Sequence, residues 1–284
     1  MTTVATAPRL AKSGSKRPWL TEIGTKRKAL PSAAVWYGVS GIGKTSLAAH
    51  IPGVAFVVDA QELGVLTLMD NGLIPEVPVF PAVTSAGECL ELLEELRVGD
   101  HQYRALAMDA MGGFEALFQT ELCRRAFGGD WGEHGFMGYK RGFDMMPVEW
   151  RALLMACDRL RHEREMSVVL LGHSKVSPFK NPEGPDYDRF NADVHEKVWA
   201  VTERWADMIL FCNYEVSFAS KDANKPKAKA MGGRTRMMYA QKTVAYDAKN
   251  RHGLPEEIEM GDSGAEAWNN LSAALKAGRK AVAA

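Results

Sequence analysis

The chain has 284 residues, is 46% hydrophobic and 25% charged, and has a formal net charge of zero. These values suit a globular protein of one large domain with tails. They exclude a polyanion binder that acts by bulk charge, so any nucleic-acid surface must come from local basic patches. No apolar run approaches the ~18 residues of a membrane span. The four cysteines, Cys89, Cys123, Cys157 and Cys212, lie far apart with no Cys-x-x-Cys pair. That argues against a zinc site and suits a reducing, cytoplasmic setting. Basic residues near the N-terminus are not followed by an apolar h-region, so a secretory signal is not expected.

Residues 1–30 carry Arg9, Lys12, Lys16, Arg17, Lys26, Arg27 and Lys28 against one acid, Glu22, with little apolar periodicity. They read either as a solvated arm or as a basic arm that touches nucleic acid or a neighbouring subunit. Pro31 opens a core expected to run to residue 262. Ala33-Ala34-Val35-Trp36-Tyr37 is a short apolar strand, and Ser46-Leu47-Ala48-Ala49-His50 is helix-like. Between them lies Gly38-Val39-Ser40-Gly41-Ile42-Gly43-Lys44-Thr45, which reads Gly-x-x-x-x-Gly-Lys-Thr. Strand, glycine-rich loop and helix are the context a phosphate-binding P-loop requires. The glycines let backbone N–H groups curl around phosphate oxygens, and the helix N-terminus adds its dipole. Lys44 would neutralise the β- and γ-phosphates of ATP, Thr45 would hold Mg²⁺, and Ser46 completes the nucleotide-binding set.

Val54–Val58 is a buried parallel strand that ends on Asp59, and Val77–Val83 is a short edge strand interrupted by Pro78 and Pro81. Thr84 or Ser85 caps a helix through Leu96, with Glu88 in its first turn. The strand Tyr103–Asp109 closes on an acid. A helix over 113–127, a loop over 128–142 and a long helix over 144–164 follow. Ser167–Leu171 is a buried strand running into Gly172-His173-Ser174. The prolines make 178–191 a loop. Residues 194–206 form a helix, 208–212 a strand, 219–233 a lysine-rich loop, 234–248 two strands, and 265–277 a last helix inside the tail 263–284. Strands alternating with helices predict an α/β fold with a mostly parallel sheet flanked by helices and an antiparallel strand pair at its C-terminal edge.

Asp109, at a strand end downstream of the P-loop, is the expected second Mg²⁺ ligand, acting through water. Asp59, Gln61 and Glu62 end the neighbouring strand at the ligand face of such a sheet. Glu62 is the first candidate to orient the attacking water, against the alternative of a plain turn acid. His173, at the next strand's end, could touch the γ-phosphate, although a lone histidine is more often structural. By its spacing, Lys249-Asn250-Arg251 sends Lys249 and Arg251 to one side of an extended segment. Two basic stretches carry neighbouring aromatics: Arg124, Arg125, Lys140 and Arg141 among Phe127, Trp131, Phe136, Tyr139 and Phe143; and Lys175 and Lys180 beside Phe179, followed by Arg189-Phe190. A third holds Lys221, Lys225, Lys227, Lys229, Arg234 and Arg236 against one acid, Asp222. Each alone reads as solvated loop; together in a P-loop protein they point to single-stranded nucleic acid, with phosphates neutralised and bases stacked.

This set of residues resembles the RecA-like P-loop ATPases. More narrowly, it resembles the phage-type ATP-binding proteins that include the Sak-group recombination proteins. The resemblance covers about residues 31–260. It rests on the P-loop, on Phe56–Asp59 with Gln61 and Glu62, on Leu106–Asp109, on Val169–Lys175, and on Ala248-Lys249-Asn250-Arg251-x-Gly253-Leu254-Pro255. It implies an ATPase with Mg²⁺ that binds single-stranded DNA in recombination or annealing, in the cytoplasm of a bacterial host. It implies His173 as the γ-phosphate sensor and DNA-binding loops after Asp109 and after His173. Lys249 and Arg251 would be basic fingers inserted into an adjacent subunit's site, hence a ring or filament, and a single-strand-binding or replication protein would be a partner. A ring helicase or translocase and a nucleotide-gated loader are the rival readings. Two positions depart from the family pattern: Gln61 stands where Glu is usual, and Ala110 follows Asp109 where a hydroxyl residue is frequent.

Overall fold

The continuous apolar runs become the parallel centre of one sheet. The structure, a computed structural model, describes residues 30–218 and 230–283. Strand β1 (Ala33–Gly38) leads through the P-loop to α1 (Lys44–Ala49), and β2 (Val54–Val58) is followed by α2 (Gly64–Asp70) and α3 (Ala86–Val98). Next come β3 (Ala105–Asp109), α4 (Met111–Phe127), a 3-10 turn (Gly138–Lys140) and α5 (Arg141–Glu163). A hairpin of β4 (Ser167–Phe179) and β5 (Tyr187–Ala192) precedes α6 (Glu196–Trp205). The chain then forms β6 (Met208–Phe218), β7 (Ala230–Tyr239), β8 (Lys249–Asn250), β9 (Glu257–Glu259) and α7 (Gly264–Ala283).

The strand order is β2-β3-β4-β1-β6-β7-β9, with β5 paired to β4 and β8 to β6. From β2 to β6 all pairs are parallel, while β7 and β9 are antiparallel. The expected α/β class with an antiparallel C-terminal edge is therefore the observed one. Strand β1 is buried throughout and alternates its faces. Val35 and Tyr37 join the core under α3, α4, α5 and α6, whereas Ala34 and Trp36 join the core shared with α1 and α7. Fully covered faces are what a central parallel strand requires. Ser85 is the cap of α3: its hydroxyl accepts from Glu88 N at 3.1 Å, and Glu88 reaches back to Thr84 N at 2.7 Å.

Several local expectations are corrected, and one helix, α2, has no counterpart among them. Residues 178–191 are not all loop, because β4 runs six residues past His173 and pairs with β5 from Ser174↔Ala192 to Phe179↔Tyr187. Residues 234–248 hold only the end of one strand, β7; beyond Ala240 they form turns, and the strand beside β7 is β9. Helix α2 has no capping side chain or amphipathic run to announce it. Val77–Val83 makes only isolated bridges, Phe56↔Val79 and Asp59↔Val83, as its prolines require. The basic arm, and residues 219–229 of the lysine-rich stretch, lie outside the described residues. Residues 230–233 belong to β7. All four cysteines are buried and unbridged. Among the described residues no helix is long and apolar enough to cross a membrane.

Candidate nucleotide site

The P-loop leaves the C-terminal end of β1, between β4 and β6. Gly38 lies against β6 so closely that a Cβ there would meet Cys212 O at 1.9 Å. Gly43, at φ 104°, takes a left-handed conformation that glycine alone adopts without cost and starts α1. Lys44 is buried, and its Nζ donates to Gly38 O at 3.1 Å and Val39 O at 2.9 Å. Burial lowers its pKa below the ordinary lysine value. The ammonium is thus held over the loop whose N–H groups would face phosphate.

Thr45 Oγ1 donates to Asp109 Oδ2 at 2.7 Å. Burial pushes the Asp109 carboxyl up to about 6, against the lowering effect of the Thr45 hydrogen bond. A hydroxyl and a carboxylate side by side are the hard oxygen donors Mg²⁺ takes when phosphate oxygens and water complete its shell. The pair fits that ion. Among the described residues no group of three or more His, Cys, Asp or Glu side chains is placed to hold a metal by itself.

The turn after β2 settles which acid faces the P-loop. Asp59 Oδ1 accepts from Gln61 N at 2.8 Å, and Glu62 N donates to Asp59 O at 3.2 Å. This turn leaves Gln61 exposed and brings Glu62 Oε2 to 3.3 Å from His173 Nε2. The other ring nitrogen of His173 lies 3.1 Å from Ser40 Oγ of the P-loop. Ser40, His173 and Glu62 therefore form one chain across the mouth of the loop, from the turns after β1 and β2 and from the middle of β4. Asp59 itself is buried against α4, where a Cβ on Gly113 would stand 1.9 Å from its Oδ2.

One site residue escaped the sequence reading. Arg236, counted there among the bases of the lysine-rich stretch, donates through Nη1 to Ile42 O at 3.3 Å and through Nε and Nη2 to Gly261 O at 3.0 and 2.5 Å. It braces the P-loop from β7. Only its alternation within β7 set it apart from Arg234. Arg236→Ala is expected to weaken ATP binding about tenfold, the scale of one charge-assisted hydrogen bond, measured by titration with a labelled nucleotide; unchanged affinity would remove the bracing role.

The remaining candidates are dispersed. Lys249 Nζ donates to Glu203 O at 2.6 Å and Arg204 O at 3.3 Å, and Arg251 pairs with Asp207 at 3.2 Å. Both sit beside the first residues of β6, at the end of the sheet opposite the P-loop of the same chain. Lys140 and Lys175 line one cavity of about 480 Å³ with Phe179, Asn191, His195 and Trp199. Lys175 also pairs with Asp193 at 3.2 Å, and exposed Lys180 with Asp186 at 3.2 Å. Arg124 and Arg125 pair with Glu121 and Glu149, and Arg141 donates to His134 O at 2.5 Å. Arg189 is not on the surface: it is buried and paired with Asp247 at 2.7 Å, so it serves the fold.

A family model described as "AAA domain" matches residues 31–252. The chain belongs to this AAA domain family. The match covers the P-loop, Glu62, Asp109, His173 and the Lys249–Arg251 stretch, so over residues 31–252 this AAA domain is a member of a P-loop ATPase family. No curated protein matches it. Among solved structures it is similar to the RadB recombinase at 13% identity, over 84% of this chain and 90% of that chain, with a TM-score of 0.44.

Proposed function

We propose that this AAA domain binds and hydrolyses ATP, binds single-stranded DNA as a RecA-like recombination or annealing protein of the phage Sak-group type, and completes its sites between copies of the chain. The Ser40–His173–Glu62 chain beside Lys44 and the Thr45–Asp109 pair supports hydrolysis most. Gly38 to Ser46 would cradle the phosphates, with Lys44 turning from the loop carbonyls to the β- and γ-phosphates. Thr45 and Asp109 would hold Mg²⁺, directly and through water respectively. When bound, that ion neutralises charge developing on the phosphate oxygens. Glu62 would orient the attacking water, and His173 would contact the γ-phosphate between Glu62 and Ser40.

His173 leads without interruption into the β4–β5 hairpin, whose outer part exposes Lys175, Val176 and Lys180. A contact at His173 that exists only with the γ-phosphate would bias the hairpin and the Lys140–Lys175 cavity towards a DNA-binding arrangement. Single-stranded DNA should raise the ATPase rate more than duplex DNA or RNA does. ATP should increase retention of labelled single-stranded DNA on a filter at low salt, where phosphate contacts are strongest. No ATP-dependent retention there would sink the DNA-binding reading, and strand displacement would select a helicase motor instead.

Because Lys249 and Arg251 lie at the far end of their own sheet, they would act in a neighbour's site. Mixing Lys44→Ala protein with Arg251→Ala protein should then restore activity that neither has alone. An assembled mixture that stays inactive would count against shared sites.

A further inference from the structure

A cavity of about 560 Å³ lies away from the P-loop, between α3, the segment at Phe80–Val83 and the turn before β3. Its floor is apolar and aromatic, with Phe80, Leu92 and Tyr103 half-buried. Its rim is acidic. Glu91, Glu95 and Asp100 are exposed there and, among the described residues, have no basic partner. Neighbouring Glu94, by contrast, is paired with Arg97 at 2.6 Å. An apolar floor under unpaired acids suits a segment that carries a large apolar side chain between bases.

The basic arm holds one such segment. Trp19-Leu20 stands between Lys16-Arg17 and Lys26-Arg27-Lys28, with Glu22 as the only acid. The place where the described chain begins also fits. Ala33 and Ala105 are in near register across β4, through Val168 and Ser167, so they stand two strand spacings apart, about 10 Å. The cavity wall Asp100–Tyr103 immediately precedes Ala105. Arg161 of α5 donates to Pro31 O at 2.9 Å, which draws the start of the chain to the face where α5 packs on α3. Ten residues lie between Trp19 and Leu30, and the eleven Cα–Cα steps can span up to about 36 Å.

We infer that the cavity is the docking site of the chain's own basic arm, with Trp19 and Leu20 on the apolar floor and the flanking lysines and arginines on Glu91, Glu95 and Asp100. Docking withdraws those bases from other polyanions. The inference is independent of the nucleotide site.

The test is timed trypsin cleavage of the full-length protein after Lys26, Arg27 and Lys28. Cleavage follows the undocked fraction, so Glu91→Lys/Glu95→Lys should accelerate it about tenfold, and Trp19→Ser, which alters no described residue, should do likewise. Equal rates in all three proteins overturn the proposal. Carbodiimide coupling then identifies the acceptor. Links from Lys16 or Lys26 to Glu91, Glu95 or Asp100 within single chains support it. Links found only between two chains, with protection that fades on dilution, overturn docking on the same copy.

Discussion

Glu62→Gln is expected to lower kcat for ATP by about 10²–10⁴-fold, the usual contribution of a positioned general base, while leaving ATP affinity unchanged. The amide keeps the shape and the reach to His173 but cannot take up a proton. Glu62 is the only acid of the β2 turn brought to the His173–Ser40 chain, since Asp59 is committed to the first turn of α4. Gln61→Ala should leave kcat near the parent value, because Gln61 points to solvent. Steady-state turnover paired with direct binding of a non-hydrolysable analogue separates the two parameters. If Gln61→Ala proved the damaging change and Glu62→Gln the silent one, the assignment would be reversed. His173→Ala, in contrast, should uncouple DNA stimulation from basal turnover, since its link runs to the hairpin as well as to Glu62.

The second large effect concerns stability. Asp247→Ala is expected to destabilise the fold by about 3–5 kcal/mol, the range for leaving one member of a buried ion pair alone, and to lower Tm by of the order of 10 °C. Asp247 accepts from Arg189 at 2.7 Å, from Lys242 at 2.8 Å and from Trp199 Nε1 at 3.1 Å. Its backbone also exchanges hydrogen bonds with the Tyr37 hydroxyl, one residue before the P-loop. The Asp247 carboxylate thus ties β5 and α6 to the 240–248 turn, which the Asp247 backbone fastens to β1. The double replacement Arg189→Met/Asp247→Leu removes both charges and should recover most of the loss. Burial raises the Asp247 pKa, but the Lys242 hydrogen bond and the Arg189 charge outweigh it, and the net value lies below the ordinary carboxylate. Its contribution is therefore present above the unfolded value of about 3.9 and is lost as pH falls through the folded value. Asp247→Asn should remove that part of the acid transition; an unaltered acid midpoint would show that the pair does not control it.

What the sequence made legible was what depends on local pattern. The P-loop, the strands at 33–37, 54–58, 105–109 and 167–171, and the helix start at Thr84 or Ser85 with Glu88 in its first turn are contiguous in the chain and could be placed from spacing alone. The β4–β5 hairpin was hidden because Pro178, Pro185 and its polar residues imitate a loop; its strands are held by pairing across the hairpin, with most side chains only partly buried or exposed. Thr243-Val244-Ala245-Tyr246 has strand-like composition, yet it folds as turns around Asp247. Arg189 carried the local signature of a DNA-binding base, and its actual partner lies 58 residues away. Arg236 was concealed in the same way, since its acceptors, Ile42 and Gly261, are remote in sequence. The Gln61–Glu62 ambiguity needed the Asp59 turn, which rotates the chain by one residue.

If Lys249 and Arg251 act in a neighbour's site as proposed, their position at the pole of the sheet opposite the P-loop gives each molecule a donor end and an acceptor end. Copies joined that way run head to tail with a direction. An open row always leaves one P-loop at its terminus without a donor, so its turnover per chain should climb with length towards a plateau. A closed ring leaves none and should show one constant turnover per chain at every concentration at which it persists. The dependence of specific activity on protein concentration therefore reports the geometry of the assembly without an image of it.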